Sequence, residues 1–257
     1  MRVRAVSSVM RTAVAEARSN RGAFWIQVSA MALNDIVWVL FWVIFFGRVG
    51  TVRGWDRSRV FLLFAVLTTG GGLVLGLLSN ARRIGQLVVD GGLDAALALP
   101  VPPLPYLLVR RVDPVNLGDV VFGVSLFAVS GSPTLERTAV YLLGAAAGAV
   151  VLASFLVAAG SLTFFAGRSE AGDLGFNAII LLSSYPVDIF AGTTKVLLYS
   201  VVPAAFVAAV PARLVDHFRL LQAFALVGVA AAFAAIAWSV FTAGLRRYTS
   251  SAIWTRA

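Results

Sequence analysis

Apolar residues fall into six long stretches, residues 23–47, 58–79, 115–131, 138–167, 176–194 and 220–244, divided by short polar segments that carry most of the arginines. A helix crosses the hydrocarbon core of a bilayer with roughly 20 predominantly apolar residues, so each stretch predicts a membrane-spanning helix. The longest segment between them, 80–114, is shorter than an ordinary folded domain. The pattern predicts an all-α integral membrane protein with no soluble catalytic domain. Such a chain passes something through a membrane or supports a partner that does, and any chemical energy must come from elsewhere.

Four segments depart from this plain alternation. Along residues 1–22, Val3, Val6, Met10, Val14 and Ala17 recur at helical spacing with arginines between them. That predicts an amphipathic N-terminal helix lying in the headgroup region, with a solvated helix as the bland alternative. Asn34 and Asp35 fall near the middle of the first span. A charge there costs roughly 2.5–3.5 kcal/mol on insertion scales, so Asp35 should face protein or a wet cavity, as a pathway carboxylate or as a buried partner.

In the connection 80–114, residues 82–99 predict a helix along the membrane surface, and Pro100, Pro102, Pro103 and Pro105 then break regular structure. Arg82, Arg83, Asp90, Gly92, Leu93 and Asp94 give it mixed charge and flexibility. A simple connector needs none of this, so the segment reads as a docking element.

The fourth departure is residues 176–214. Tyr185 and Pro186 interrupt the fifth span, Asp188 follows, and Lys195, Pro203 and Pro211 punctuate an apolar run too short to cross by itself. A re-entrant segment over 185–214 is predicted, close to a transport route or a subunit seam, because broken backbone at membrane depth must be covered by protein or water. One long kinked span is the alternative. Elsewhere, Gly70, Gly71, Gly72 and Gly76 in the second span, and Gly144 and Gly148 in the fourth, allow helices to approach closely.

Composition agrees with a membrane setting. The chain of 257 residues is 60% hydrophobic, against about 45–50% in soluble domains. Its net charge of +9 could suggest nucleic acid, but the arginines cluster at span ends rather than on one face, so anionic headgroups and topology account for them and no nucleic-acid partner is expected. The expected sides of the membrane hold 13 and eight basic residues, and the positive-inside bias puts both termini in the cytoplasm. The first apolar run is too long for a signal-peptide core.

Several chemistries are excluded. Cysteine is absent, which removes disulfides and thiol catalysis. The only lysine, Lys195, lies between Thr194 and Val196, so no Gly-Lys-Ser/Thr phosphate loop exists. His217 is the only histidine, which argues against zinc and against a serine triad.

Two segments carry a resemblance. Gly92-Leu-Asp-Ala-Ala-Leu-Ala-Leu-Pro100 runs on to the basic pair Arg110-Arg111, and Tyr185-Pro-Val-Asp-Ile-Phe190 runs on through Lys195 and Pro203 to Pro211. Both resemble the ABC-2 type permeases of bacterial exporters, the six-span subfamily of about this size. Gly244-Leu-Arg-Arg-Tyr248 is similar to that subfamily's tail. The resemblance implies a six-helix domain over 23–257, an N-terminal interfacial helix, a cytoplasmic coupling helix between spans two and three, and re-entrant helices before span six. It further implies a multi-pass protein of the bacterial cytoplasmic membrane that pairs with a second permease among membrane lipids. A separate ATP-binding subunit would hold ATP and Mg2+, leaving this chain without a cofactor. Arg82, Arg83, Asp90, Gly92, Leu93 and Asp94 would then meet that subunit, while Asp35, Tyr185, Pro186, Asp188, Lys195 and Pro203 would lie on the translocation route or the permease seam. The alternative is an ion-coupled carrier using Asp35, Asp119 or Asp188, although no inverted repeat is visible. An intramembrane enzyme would need paired acids or a histidine at one depth, which the sequence does not display.

Overall fold

A computed structural model describes residues 21–130, 132–167 and 170–248. Among them the chain is helical, with no strand beyond one isolated bridge between Val52 and Trp55. The helices are α1 (Arg21–Val49), α2 (Arg57–Leu77), α3 (Ile84–Val89), α4 (Asp94–Leu97), α5 (Pro103–Val109), α6 (Leu117–Ser130), α7 (Leu135–Ser161), α8 (Thr163–Ala166), α9 (Ala171–Ser183), α10 (Gly192–Tyr199), α11 (Val210–Asp216) and α12 (Leu220–Leu245). The amphipathic helix expected at 1–22 lies outside the described residues, except that Arg21 and Gly22 open α1.

Among the described residues, four helices are long and apolar enough to cross a membrane: α1, α2, α7 running on into α8, and α12. The other two expected spans are shorter. Helix α6 has 14 residues and α9 has 13, about 20 Å of rise each, against a hydrocarbon core of about 30 Å. The stretch read as a fifth span over 176–194 begins earlier, at Ala171, and stops at Ser183. Its stop follows from Pro186, whose ring disfavours the helical region for the residue before it.

Helix α2 is the innermost, buried along nearly all of its length, whereas α1 and α12 stand at the periphery with most of their apolar surface exposed. The glycines position the core. A Cβ on Gly72 would come within 2.8 Å of the Val120 nitrogen, and one on Gly76 within 2.5 Å of Leu117. Both glycines therefore let α2 lie against α6. Gly70 faces α7, 3.1 Å from the Ala145 carbonyl by the same measure. Gly144 and Gly148 face the broken segment, against Pro211 and the Val207 carbonyl oxygen. Small residues four apart thus bring backbones together. One buried polar link ties α2 to α7: the hydroxyls of Thr69 and Tyr141 lie 2.5 Å apart, Tyr141 also donates to the Ala65 carbonyl at 3.2 Å, and Phe127 of α6 stacks on the Tyr141 ring at 4.1 Å.

The helix ends form two rims. The loop rim gathers the ends of α2, α7 and α12, the starts of α6 and α9, and the connection 78–116. The broken rim gathers the end of α1, the start of α2 and the segment 184–219. The single helix expected over 82–99 does not form. A 3-10 turn (Ser79–Arg83) leads into α3, and a turn at 90–93 separates α3 from α4. Gly91 sits at φ +69, a left-handed conformation that glycine alone adopts without strain, and it ends the helix there. The prolines expected to break structure at 103 and 105 instead open α5, where a missing N–H at the first helical position costs nothing.

Candidate functional site

The broken rim is built around Asp188. After α9 the chain makes a 3-10 turn (Val187–Ile189), then α10, an irregular link over 200–203, and a π-helical turn (Ala205–Ala209) that runs directly into α11. Pro203 and Pro211 flank that turn, and the π register absorbs the hydrogen bond a proline cannot donate. The Asp188 carboxylate takes three donors: the Trp55 indole N–H at 2.9 Å, the Lys195 ammonium at 2.9 Å, and the Arg213 guanidinium. Arg53 donates to the Asp188 carbonyl at 2.7 Å. The Arg213 guanidinium also lies over the Trp55 ring, 5.3 Å from its centroid. One carboxylate therefore ties the α1–α2 turn, α10 and α11 together. A second pair, Arg59 to Asp216 at 2.8 Å, fastens the start of α2 to the end of α11, with His217 at 3.3 Å from the same carboxylate.

Of the residues expected at a route or seam, Tyr185, Pro186, Asp188 and Lys195 come together here. Tyr185 stacks edge-on against Trp38 and Trp42 of α1, with centroids 5.9 Å away in each case. Pro203 precedes the buried turn that packs on α7. Asp35 does not join them. It lies on α1 facing α6, where it and Asp119 line a small cavity of about 70 Å³ otherwise walled by apolar residues. One Asp119 oxygen is buried there without a hydrogen-bond partner among the described residues. Nothing in the sequence spacing paired these two acids, which are 84 positions apart.

The loop rim presents the residues expected to dock. Leu93 is fully buried and anchors the turn. Gly92 packs so closely on Leu87 that a Cβ would meet its side chain at 2.9 Å. Asp94 accepts a hydrogen bond from the Tyr248 hydroxyl at 2.9 Å, which holds the α4 turn against the end of α12. Burial, and then the Asp94 carboxylate, push the Tyr248 phenol up to about 12. Asp90 is exposed, as are Val89, Leu97 and Leu99 around it. The 3-10 turn is fixed from beneath: Asn80 donates to the Leu107 carbonyl at 2.8 Å, and Gly85 and Gly160 let α3 lie on the end of α7. Arg82 pairs with Asp173 of α9 at 3.5 Å and covers the Phe176 ring at 4.0 Å. The expected docking residues thus divide into a buried anchor (Leu93), a close-packed, half-buried glycine (Gly92), a latch to the tail (Asp94), a half-buried arginine (Arg83) and exposed groups (Arg82, Asp90).

Sequence reasoning missed Trp55, Arg213, Asp216 and Tyr248. Each acts through a partner in another element, more than 130 positions away for Trp55, Asp216 and Tyr248 and 25 for Arg213, and no local pattern marks them.

A family model described as ABC-2 family transporter protein matches residues 32–252. No curated protein and no solved structure matches the chain.

Proposed function

We propose that this chain, which belongs to the ABC-2 transporter family and is a multi-pass membrane permease of an ABC-type transporter, is the transmembrane subunit of an ATP-driven exporter. It pairs with a second permease to enclose the translocation route, and a separate ATP-binding subunit docks on its loop rim. The observation that carries this reading is the loop rim itself. A short, rigidly seated segment, anchored by Leu93 and latched by Asp94, presents Asp90 and the apolar Val89, Leu97 and Leu99 to its surroundings. Apolar groups around an acidic turn suit a docked protein surface. Because the segment is packed on the ends of α7 and α12, a push on it is carried into the bundle as a rigid displacement.

In this reading α6 and α9 complete six spans, tilting or ending at the broken rim, where 185–214 forms the re-entrant helices of the outer side. Its backbone is covered by α7 through Gly144 and Gly148, as lipid-depth breaks require. Both termini and the loop rim then lie in the cytoplasm. The exposed faces of α1 and α12 meet lipid or the second permease.

The test is co-purification and turnover. Purified alone, the chain should neither bind nor hydrolyse ATP. Reconstituted with an ATP-binding subunit encoded beside it, it should raise ATP hydrolysis, and substrate movement should stop when that subunit's phosphate-loop lysine is replaced. Transport that persists without any ATPase, driven by a proton gradient and abolished by Asp119→Asn, would instead favour the carrier reading, for which the shared Asp35–Asp119 cavity is the supporting observation.

A further inference from the structure

On the loop rim a cavity of about 350 Å³ opens between the end of α2, the start of α6 and the first turns of α9. That is within the range, about 300–1,000 Å³, of sites for small ligands. Its lining includes Arg82, Arg83, Arg111, Asp113 and Asp173, three guanidiniums against two carboxylates.

Both carboxylates are already engaged. Asp173 pairs with Arg82. Asp113 accepts from the Val115 N–H at 3.1 Å, closing the turn that leads into α6. Arg82 is further held by the Phe176 ring. Arg83 and Arg111 are left over. Arg83 donates only to Gln86, at a weak 3.4 Å, and neither forms an ion pair among the described residues. Two guanidiniums without carboxylates, converging on one cavity, offer a bidentate donor set suited to a tetrahedral oxyanion. Ser79, Gln86 and Asn116 add neutral polar groups around them.

We infer that this cavity is a binding site for a phosphate group, most directly the headgroup of an anionic lipid. Leu75 and Phe176 supply apolar wall on the side of the spans, where a lipid's glycerol and acyl chains would continue. Basic pockets between membrane helices at the cytoplasmic face take such headgroups. A free phosphate compound would satisfy the same guanidiniums without needing that wall. The lipid source rests on the cytoplasmic placement of the loop rim proposed above; the phosphate site itself does not. A bound headgroup would bridge Arg83 beside α3 to Arg111 before α6, and so tie both ends of the docking segment to the bilayer.

The test uses the full chain, purified in detergent and stripped of lipid, with unfolding temperature followed by tryptophan fluorescence and bound adducts read by native mass spectrometry. The probes are inorganic phosphate, dioleoyl phosphatidylglycerol, and dioleoylglycerol as the phosphate-free lipid. Saturable stabilisation and a retained adduct with phosphatidylglycerol but not with dioleoylglycerol are expected, with inorganic phosphate acting only at millimolar levels. Saturation by submillimolar inorganic phosphate, with no advantage for the phosphatidylglycerol, would keep the site but assign it to a soluble phosphate compound. Replacing Arg83→Gln together with Arg111→Gln should weaken binding at least tenfold. Replacing Arg48→Gln together with Arg57→Gln, which removes the same charge at the opposite rim, should leave it unchanged. If the pocket double variant fails to fold, Arg111→Gln alone is read the same way, since that side chain makes no hydrogen bond among the described residues. Equal loss in both double variants, or no saturable response to either phosphate probe, overturns the proposal. Neither arm requires transport or an ATPase, so that outcome leaves the permease assignment standing.

Discussion

The two rims interrupt the helices in different ways, and the difference separates structure from recognition. At the broken rim four strong donors are drawn onto two carboxylates, while Arg48, Arg57 and Arg219 stay exposed. Asp188 alone binds Trp55, Lys195 and Arg213, and Asp216 holds Arg59. The loop rim is seated mainly by close glycine contacts and by the hydrogen bonds of Asn80 and Tyr248, with one ion pair, Arg82 to Asp173. It leaves Arg83, Arg111 and Asp90 without an ion pair among the described residues, and several apolar side chains exposed. The Asp188 and Asp216 pairs hold the shape of the broken rim. The outward groups of the loop rim are those to which the proposed function assigns docking.

Substitutions at the broken rim should therefore cost stability. Asp188→Ala removes one acceptor shared by three donors, a loss held to about 3 kcal/mol in unfolding free energy because Lys195 and Arg213 keep access to water. The matched change on the other rim, Asp90→Ala, should stay within about 0.5 kcal/mol because the group is exposed. Comparable losses from the two would erase the distinction. Both are read by denaturation in detergent.

Gly148→Val comes next. Its side chain would collide with the Val207 carbonyl and push α7 off the π-helical turn, costing about 2–3 kcal/mol. Gly228→Val, on α12 where a Cβ meets nothing, should be neutral.

The extent to which the sequence foretold this differs between the rims for a physical reason. Apolar runs report burial in lipid, so the existence of α1, α2, α7 and α12 was readable from composition and length. Breaks report themselves through proline and glycine, so the interruption after Tyr185 was readable too. Helix lengths at the breaks were not: α9 ends at Ser183 because of Pro186, but the apolar run continues past it and masks the stop. The surface helix expected at 82–99 failed on Gly91, whose left-handed turn outweighs the apolar spacing around it. The pairs of Asp188 with Arg213 and of Asp216 with Arg59 were invisible, because carboxylates and guanidiniums 25 and 157 positions apart carry no local signature. Asp35 was noticed as a lone acid, and only the fold set it beside Asp119.

A smaller effect belongs to the latch between the rim and the tail. Tyr248→Phe removes the hydrogen bond to Asp94 and should cost about 1 kcal/mol. The raised phenol pKa gives this contribution a pH signature. The neutral phenol is favoured in the folded chain, so the contribution is complete below the ordinary value of about 10 and is lost as pH rises from there toward about 12. The variant should lack that alkaline loss. A wild-type chain whose stability does not fall in this window more than the variant's would mean that the latch is not formed.

Coupling as proposed requires that the loop rim, and not the broken rim, meets the ATP-binding subunit. The chain has no native cysteine, so a single cysteine at Leu97, exposed on the loop rim, and another at Thr193, exposed on the broken rim, can each carry a photoactivated cross-linker in intact membranes. Leu97→Cys should yield an adduct whose second component contains a phosphate-loop ATPase sequence by mass spectrometry, and Thr193→Cys should not. An ATPase adduct formed from Thr193→Cys and absent from Leu97→Cys would contradict the proposed coupling and the orientation together.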